Sequence, residues 1–496
     1  MLRRPFLIIL LAFAVSVVVR TPQLDRPLSA HHEFCTAIAL IILYNWHTDG
    51  YYTHHGNPIV SFTGSADLYP SGFADGPAQH DGLIYYFSHP PLAYDVPYAL
   101  FRITGTAPSV IGLQLLNLAF HLITAWFLFL ALKALYPPEK KTLAPVFAAA
   151  LYLFMPAPLW FHGNVYMSDM FVQNFWVMHL AIALRMFLGY SLDKRLLLAF
   201  FITLFLSVLT SWLGVFAAVA SGLAALWKWK KERSARWLIP MALAALAVVL
   251  ALSYTAWRYT RVVDFDQLIA FFQSRFEVRG SVGLEEGVWP HLKQMIVNYR
   301  MGFLPLLILF FAIALFKLKG RSNTTVLRPN SLTLFILLTG LPVLLDHVFL
   351  LQYADHDFTV LKAGPILCGL AAIGIARLEE RWSISLITLT CFAGVLYFYR
   401  INPLPDKDGT RYAHERNIGQ AIAAEVLPNE AAFTLGSTPE PQVQWYAKRT
   451  LFRIDSMPQA EALMRAQQTP NGVVFRINDQ EVTAAKIRVA LPPISP

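Results

Sequence analysis

The chain has 496 residues, of which 56% are hydrophobic and only 14% are charged. Soluble domains carry about 25% charged residues, and a single soluble core could not cover this much apolar surface. The composition therefore excludes a soluble protein. The net charge of +9 does not indicate a nucleic-acid partner, because the basic residues cluster at the ends of apolar runs, where membrane proteins place them.

Long apolar runs, taken in chain order, predict a polytopic α-helical membrane protein with about eleven transmembrane helices. The first span resembles a signal peptide but lacks a small-residue cleavage site, so we expect it to be uncleaved, with Arg20 reaching the membrane interface. The fifth and sixth spans meet at residues 210–212, in either a tight hairpin or one broken helix. The expected spans are residues 5–20, 107–132, 143–160, 168–188, 195–210, 212–227, 237–257, 301–317, 331–351, 359–376 and 383–399.

Basic content alternates between successive connections. The segment 21–105 holds only Arg26 and Arg102 as basic residues other than histidine, so it should lie outside the cytoplasm. An odd number of spans then places the N-terminus in the cytoplasm and the C-terminus outside. The connections expected in the cytoplasm are rich in Lys and Arg and include Lys140, Lys194, Lys230, Arg321 and Arg381.

Two domains are expected. Residues 1–399 form a membrane domain with an outer loop at 21–105 and a second, partly helical outer loop at 258–300. Residues 400–496 alternate short apolar runs with amphipathic stretches, a pattern typical of a small α/β domain. Long structured loops are commonly functional, so we expect the active site in the loop 21–105.

That outer loop contains half of the fourteen histidines of the chain. Glu33 opens an apolar stretch typical of an interfacial helix, where a carboxylate could complement the helix dipole or act as a general base. His89 is held by the two prolines that follow it, and its ring could donate to a phosphate. His31, His54 and His55 offer ligands for a divalent metal ion, although no close spacing marks a metal site.

A second polar cluster, which contains Asp355 and His356, precedes the tenth predicted span. Lys362 follows inside that span, where a lysine is costly unless it snorkels to the surface or binds an anion such as a lipid phosphate. Arg258 and Arg261 lie at the end of another span, where solvated charges are ordinary.

Three motifs stand out in these outer segments: the acidic motif Asp25-Arg26-Pro27-Leu28 leading to His32-Glu33, His-Pro-Pro-Leu at residues 89–92, and His356 with Phe358 before Pro365. Together they resemble the motifs of the C-superfamily membrane glycosyltransferases, especially the bacterial group similar to protein O-mannosyltransferases and lipid A aminoarabinose transferase. Members of that group usually have Asp-Glu or Asp alone at the first motif; here the pair is His-Glu, and Glu33 would take the acidic role.

The resemblance implies sugar transfer from a polyprenyl-phosphate donor to a glycan, lipid or protein acceptor at the outer face of the bacterial cytoplasmic membrane. It makes Glu33 the candidate base, with His32 and His89 as further catalytic candidates, while Asp67, Asp75 and Asp81 stay open as alternative bases. The candidate substrate-binding residues are Lys362, His356, Asp355, Tyr86, Arg258 and Arg261.

Two other classes of protein fit the same composition. A transporter or flippase of lipid-linked sugars is also polytopic, but such proteins usually show paired halves and polar interruptions at mid-span, and this chain has no visible repeat. A non-catalytic envelope assembly protein would use its outer segments for docking. The sequence also has no phosphate-cradling glycine loop for a nucleotide sugar.

Overall fold

The structure is a computed structural model that describes residues 3–29, 31–70, 78–140, 142–189, 192–280, 287–318, 327–478 and 481–490. The chain forms two compact units. The helical unit comprises Met1–Leu24, Gln114–Thr255 and Ser274–Leu404. The mixed unit comprises Asp25–Leu113, Ala256–Gln273 and Pro405–Pro496, so the C-terminal segment shares a unit with most of the outer loop 21–105.

The described residues are predominantly helical. The helices are α1 (Arg3–Arg20), α2 (Phe34–Thr48), α3 (Leu92–Thr104), α4 (Val110–Ala134), α5 (Ala144–Phe154), α6 (Pro156–Phe161), α7 (Ser168–Phe187), α8 (Lys194–Val208), α9 (Leu213–Glu232), α10 (Leu238–Tyr259), α11 (Phe265–Arg279), α12 (Val288–Leu318), α13 (Ser331–Phe349), α14 (Gly364–Ile375), α15 (Glu380–Ile401), α16 (His414–Glu425), α17 (Pro441–Ala447) and α18 (Met457–Gln467). The strands are β1 (Gln79–His80), β2 (Leu83–Ile84), β3 (Ala431–Leu435), β4 (Leu451–Ile454), β5 (Asn471–Asn478) and β6 (Glu481–Arg488).

Eight helical segments among the described residues are long and apolar enough to cross a membrane. They support a multi-pass membrane protein, because a lipid-exposed backbone must satisfy its own hydrogen bonds. Their bounds are Arg4–Gln23, Val110–Ala134, Ser168–Phe187, Ala235–Tyr259, Val288–Phe316, Ser331–Phe349, Asp357–Ile375 and Glu380–Ile401.

The other three predicted spans correspond to helices that are broken, short or charged at one end. The span at 143–160 is divided at Met155, whose extended backbone (ψ 145°) precedes Pro156, as expected because proline disfavours a helical residue before it. Helix α8 has only 15 residues, and four of the last five residues of α9 are charged. Helices α8 and α9 are separate and pack against each other, which is the hairpin alternative.

Arg20 does not reach out to an interface as predicted, because its side chain is completely buried in the helical unit. Its guanidinium lies 3.0 Å from Nδ1 of His121 and donates to the carbonyl of His162 at 3.2 Å. The two imidazole rings are parallel at 4.7 Å, and Tyr152 Oη lies 2.9 Å from His162 Nε2. These contacts replace water as the partners of a cation, which is why Arg20 can be buried.

The outer loop expected at 258–300 is partly helical, as predicted: it contains α11 and the first turns of α12. Its first part belongs to the mixed unit and buries apolar side chains against the outer loop 21–105. The shared core contains Ile59, Leu83, Tyr85, Phe87, Tyr259, Val262, Val263, Leu268 and Phe271.

A four-stranded sheet of order β4-β3-β5-β6 forms the C-terminal part of the mixed unit. Strand β3 is parallel to β4 and β5, and β6 is antiparallel to β5. Ala432 packs in a cluster with α16 and α17, while its neighbour Phe433 packs in a cluster with α18. Because successive side chains of a strand point to opposite faces, helices cover both faces of the sheet. Residues 431–434 of β3 are accordingly buried, and all of them except Thr434 are apolar.

Candidate functional site

Glu33 is almost fully buried in the mixed unit, directly before α2. Arg26 contacts both carboxylate oxygens of Glu33: its Nη2 lies 2.9 Å from Oε1, and its Nη1 donates to Oε2 at 3.0 Å. The backbone N–H of Ser29 also donates to Oε2, at 2.9 Å. Glu33 makes no capping hydrogen bond to α2; its partners include the arginine and the turn before it. A bidentate pair of this kind fixes the orientation of a carboxylate.

Two tyrosines of the C-terminal segment contact the segment that contains Arg26. The guanidinium carbon of Arg26 lies 3.8 Å from the centre of the Tyr412 ring, a cation–π distance. The hydroxyl of Tyr446 accepts a hydrogen bond from the backbone N–H of Leu28 at 2.8 Å, and burial raises the pKa of Tyr446. No spacing in the sequence could have shown that residues some 400 positions downstream support this motif.

His89 lies at a bend shortly before α3, and it is buried. Its carbonyl accepts a hydrogen bond from the hydroxyl of Tyr259, and its ring lies 6.1 Å from the ring of Tyr86. Tyr86 is half-buried and contacts Tyr94 edge to face at 6.4 Å. The mixed unit therefore brings two predicted site residues, His89 and Tyr86, into one aromatic cluster.

Arg258 is buried and not solvated as its place at a span end suggested. Its Nη1 lies 2.6 Å from Oδ2 of Asp95, and its Nη2 donates to Oδ1 at 2.8 Å. Tyr51 donates to the same Oδ1 at 3.0 Å, and the carbonyl of Gly56 also accepts from Nη2. The charge of Arg258 is thus balanced by a carboxylate, whereas Arg261 is exposed.

The three histidines proposed as metal ligands have different surroundings. Nε2 of His54 lies 3.1 Å from Oδ2 of Asp49, so its ring is held by a carboxylate. His55 is exposed and adopts a left-handed backbone (φ 53°). The ring of His31 lies 5.2 Å from the ring of His32. Binding of a divalent ion by these residues stays a prediction.

The alternative bases differ in burial. Asp67 is buried, lies 3.2 Å from Nε of Arg449, and accepts the backbone N–H of Thr450 at 2.7 Å. Burial raises the pKa of Asp67 to about 6, against the opposing effects of Arg449 and of the Thr450 N–H. Asp81 is exposed at the β1–β2 turn with a left-handed backbone (φ 49°), and Asp75 lies outside the described residues.

In the helical unit, Lys362 is 1% exposed and lies among carboxylates. Its Nζ donates to both oxygens of Asp346 at 2.8 Å and lies 3.5 Å from Oδ1 of Asp169. Ser211 donates to the same oxygen of Asp169 at 3.0 Å. Asp346 is therefore part of a buried ionic cluster, and polar groups buried in a membrane commonly mark a functional region.

The other two predicted residues of this unit lie in the turns before α14. The ring of His356 is half-buried and stacks on Phe358 at 5.1 Å, with Tyr353 edge-on at 4.9 Å. Asp355 is exposed. His356 is therefore anchored by aromatic packing, while the neighbouring carboxylate is accessible to solvent.

Neither a protein-family model nor a curated protein matches the sequence. Solved structures match the fold. The structure of ArnT from Cupriavidus metallidurans bound to undecaprenyl phosphate has a TM-score of 0.62 and 14% identity, over 96% of this chain and 97% of ArnT. The apo state of the same ArnT gives a TM-score of 0.59 and 15% identity, over 95% and 93% of the two chains.

A second kind of solved structure is similar as well. The archaeal oligosaccharyltransferase AglB from Archaeoglobus fulgidus, in complex with an inhibitory peptide and a dolichol-phosphate, has a TM-score of 0.54 and 10% identity. The match covers 95% of this chain and 69% of AglB. ArnT, a lipid A aminoarabinose transferase, and AglB are both C-superfamily glycosyltransferases, so the resemblance predicted from the motifs is confirmed at the level of the fold.

Proposed function

We propose that this protein is a membrane glycosyltransferase that transfers a sugar from a polyprenyl-phosphate donor to an acceptor at the outer face of the bacterial cytoplasmic membrane. The observation that carries the proposal is the fold shared with ArnT over nearly the full length of both chains. That ArnT structure holds undecaprenyl phosphate, and the AglB structure holds dolichol-phosphate. Two proteins of this fold therefore bind the same class of lipid, which supports a polyprenyl phosphate as the donor's carrier.

The proposed reaction is a single displacement at the anomeric carbon of the sugar. A hydroxyl or amine of the acceptor forms the new bond to that carbon while the carbon–oxygen bond to the lipid phosphate breaks. The polyprenyl phosphate leaves with the electron pair, and the acceptor's proton passes to Glu33. The acceptor class is a glycan, a lipid or a protein.

Glu33 is the proposed base because its surroundings suit that task. The two contacts from Arg26 favour an ionised carboxylate, which is the form that can accept a proton. Burial keeps water away from the carboxylate, and Ser29 and Arg26 orient it. Arg26 acts through Glu33 and is therefore a positioning residue. His32, next to Glu33 in a left-handed conformation (φ 60°), sets the direction of the turn that presents the carboxylate.

The departing phosphate needs donors, and we assign that role to His89 and to the exposed Arg261. Arg258 and Lys362 have carboxylate partners within hydrogen-bonding distance, so we propose that they position the elements around them. The half-buried ring of Tyr86 supplies a partly exposed surface for a sugar ring. His356 and Asp355 stay proposed substrate-binding residues of the helical unit.

The test compares the full-length protein with its Glu33→Gln variant in detergent. Each is incubated with radiolabelled polyprenyl-phosphate sugars and an envelope extract, and the label that leaves the lipid and appears on an acceptor is measured. We expect turnover to fall by about 10² or more in the variant while the donor still binds. Asp266→Asn is the matched control, since it removes an exposed carboxylate of the same unit that is not a candidate base.

Two results would contradict the proposal at different levels. Unchanged turnover in Glu33→Gln would move the base to another carboxylate, with Asp67→Asn as the next variant, and leave the transferase activity standing. Movement of labelled lipid across vesicles with no release of sugar from any donor would replace the transferase with a transporter.

A further inference from the structure

The helical unit contains a pocket of about 330 Å³ at the end of the bundle expected to face the cytoplasm. It lies where α7 and α9 end and α13 begins, and its lining includes Phe187, Lys228, Lys231, Glu232, Arg328 and Leu334. Phe187 is 18 residues along α7 from Asp169, which is about 27 Å of helix. The pocket is therefore separate from the buried cluster around Lys362.

The lining carries a net positive charge. Three cationic side chains and one carboxylate leave a charge of +2. The carboxylate of Glu232 is already engaged: Lys228 Nζ lies 2.8 Å from Oε1, and Arg236 and Trp237 each donate to Oε2 at 2.7 Å. The carboxylate of Glu232 is therefore paired with Lys228 and Arg236. The positive charge of the pocket comes mainly from Lys231 and Arg328.

Arg328 is held in place by the ends of other helices. Its Nε donates to the carbonyl of Tyr136 after α4 at 3.2 Å, and its Nη1 donates to the carbonyl of Leu188 after α7 at 3.4 Å. The backbone N–H of Arg328 donates to the carbonyl of Leu135 at 2.9 Å. A planar guanidinium fixed in this way is suited to binding a phosphate, because little freedom is lost when the ligand arrives.

Two further features favour an anion with an apolar part. Helix α13 begins at Ser331, directly after Asn330 of the lining, so the positive end of its dipole lies beside the pocket. Phe187 and Leu334 are completely or almost completely buried and give the pocket an apolar floor. Positive charge at this end of the bundle is expected of any membrane protein, but that tendency requires neither a pocket nor a fixed guanidinium.

We propose that this pocket binds a phosphate group, supplied either by the headgroup of an anionic phospholipid or by a free phosphate anion. Basic pockets between transmembrane helices on the cytoplasmic side are suited to anionic headgroups. The site is independent of sugar transfer at the outer face.

The test measures binding to the full-length protein in detergent, by native mass spectrometry and by the shift in melting temperature. The probes are phosphatidylglycerol, phosphatidylcholine and inorganic phosphate. Lys231→Gln removes one charge of the lining from an exposed position, and Lys230→Gln is the matched control, because Lys230 is its exposed neighbour outside the lining. We expect phosphatidylglycerol affinity to fall about fivefold in Lys231→Gln and to stay unchanged in Lys230→Gln.

The probes also identify the source of the phosphate. Phosphatidylglycerol binding that inorganic phosphate does not displace supports the lipid headgroup, whereas saturable binding of inorganic phosphate that is weakened by Lys231→Gln supports the free anion. Equal binding of phosphatidylcholine and phosphatidylglycerol would overturn the proposal. So would an equal loss of affinity in the two lysine variants, because that result would indicate general attraction to a basic surface.

Discussion

Both carboxylate oxygens of Asp346 lie 2.8 Å from Nζ of Lys362, and neither side chain is more than 2% exposed. Asp169 adds a second carboxylate at 3.5 Å. A lysine that the sequence offered as a phosphate ligand is therefore already balanced within the helical unit. Removing one member of a buried ion pair is costly, because the remaining charge keeps its desolvation penalty.

We expect Lys362→Met to lower the free energy of unfolding by about 3–5 kcal/mol, since two carboxylates would lose their cation. The measurement is thermal or denaturant unfolding of the purified protein in detergent. The double variant Lys362→Met/Asp346→Asn should recover part of the loss. Wild-type stability in the single variant, with a raised KM for the donor, would instead show that Lys362 contacts the lipid phosphate.

Arg26 offers a test of positioning at the proposed base. Arg26→Lys keeps the charge beside Glu33 but cannot make the bidentate contact of a guanidinium. We expect kcat to fall about tenfold with little change in KM, as for a catalytic group that is slightly misplaced. The readout is sugar transfer at saturating donor. Little loss of kcat in Arg26→Lys beside a large loss in Arg26→Gln would contradict this, because it would mean that the charge matters more than the geometry.

Arg258 and Asp95 are 163 residues apart in the chain and make a bidentate ion pair in the mixed unit. We expect Asp95→Asn to lower the free energy of unfolding by about 3 kcal/mol, because it leaves the buried Arg258 without its carboxylate. Arg258→Met should cost less, because Asp95 is 23% exposed and keeps its hydrogen bond from Tyr51. A double-mutant cycle should show a coupling of about 1–3 kcal/mol. Additive effects would leave Arg258 available as a ligand of the donor phosphate.

Because the carboxyl of Asp67 is buried, we expect the free energy of unfolding to depend on pH. Burial raises the pKa of its carboxyl from 3.8 to about 6 in the folded protein. A raised pKa means that the folded state binds the proton more tightly than the unfolded chain does. The stabilisation is therefore complete below about pH 4 and is lost as the pH rises through about 6.

The measurement compares the unfolding free energies of the wild type and Asp67→Asn between pH 4 and pH 7. The asparagine does not titrate and can still accept the Thr450 N–H. Since two pKa units correspond to about 3 kcal/mol, we expect the difference between the two proteins to change by roughly that amount in favour of the variant. A constant difference would show that Asp67 titrates alike in both states.

The sequence predicted helices well where one long apolar run corresponds to one helix. The run at 107–132 appears as Val110–Ala134, and the run at 383–399 appears as Glu380–Ile401. The average hydropathy of a stretch of sequence is enough to find such helices, because each of them is one continuous apolar run. It cannot show that the chain breaks at Met155, which depends on the proline that follows.

The site residues were less predictable where the side chains that pair with them are distant in the chain. Glu33 could be singled out by its place after the first span, and its partner Arg26 is only seven residues away. Lys362 is paired across two helices, and no periodicity connects it to Asp169 or Asp346. Such pairs depend on how the helices pack, which a single sequence does not specify.

Two glycines of α9 give a matched test of the hairpin formed by α8 and α9. A Cβ at Gly214 would lie 2.3 Å from the backbone of Ser207 and Val208, so Gly214→Ala would push the two helices apart. A Cβ at Gly222 would have no atom within 4 Å. We expect Gly214→Ala to lower the free energy of unfolding by about 1–3 kcal/mol and Gly222→Ala to raise it by up to about 1 kcal/mol, because alanine is the better helix former. Thermal unfolding of both variants in the same detergent measures the difference, and equal shifts would show that α8 and α9 do not pack closely at Gly214.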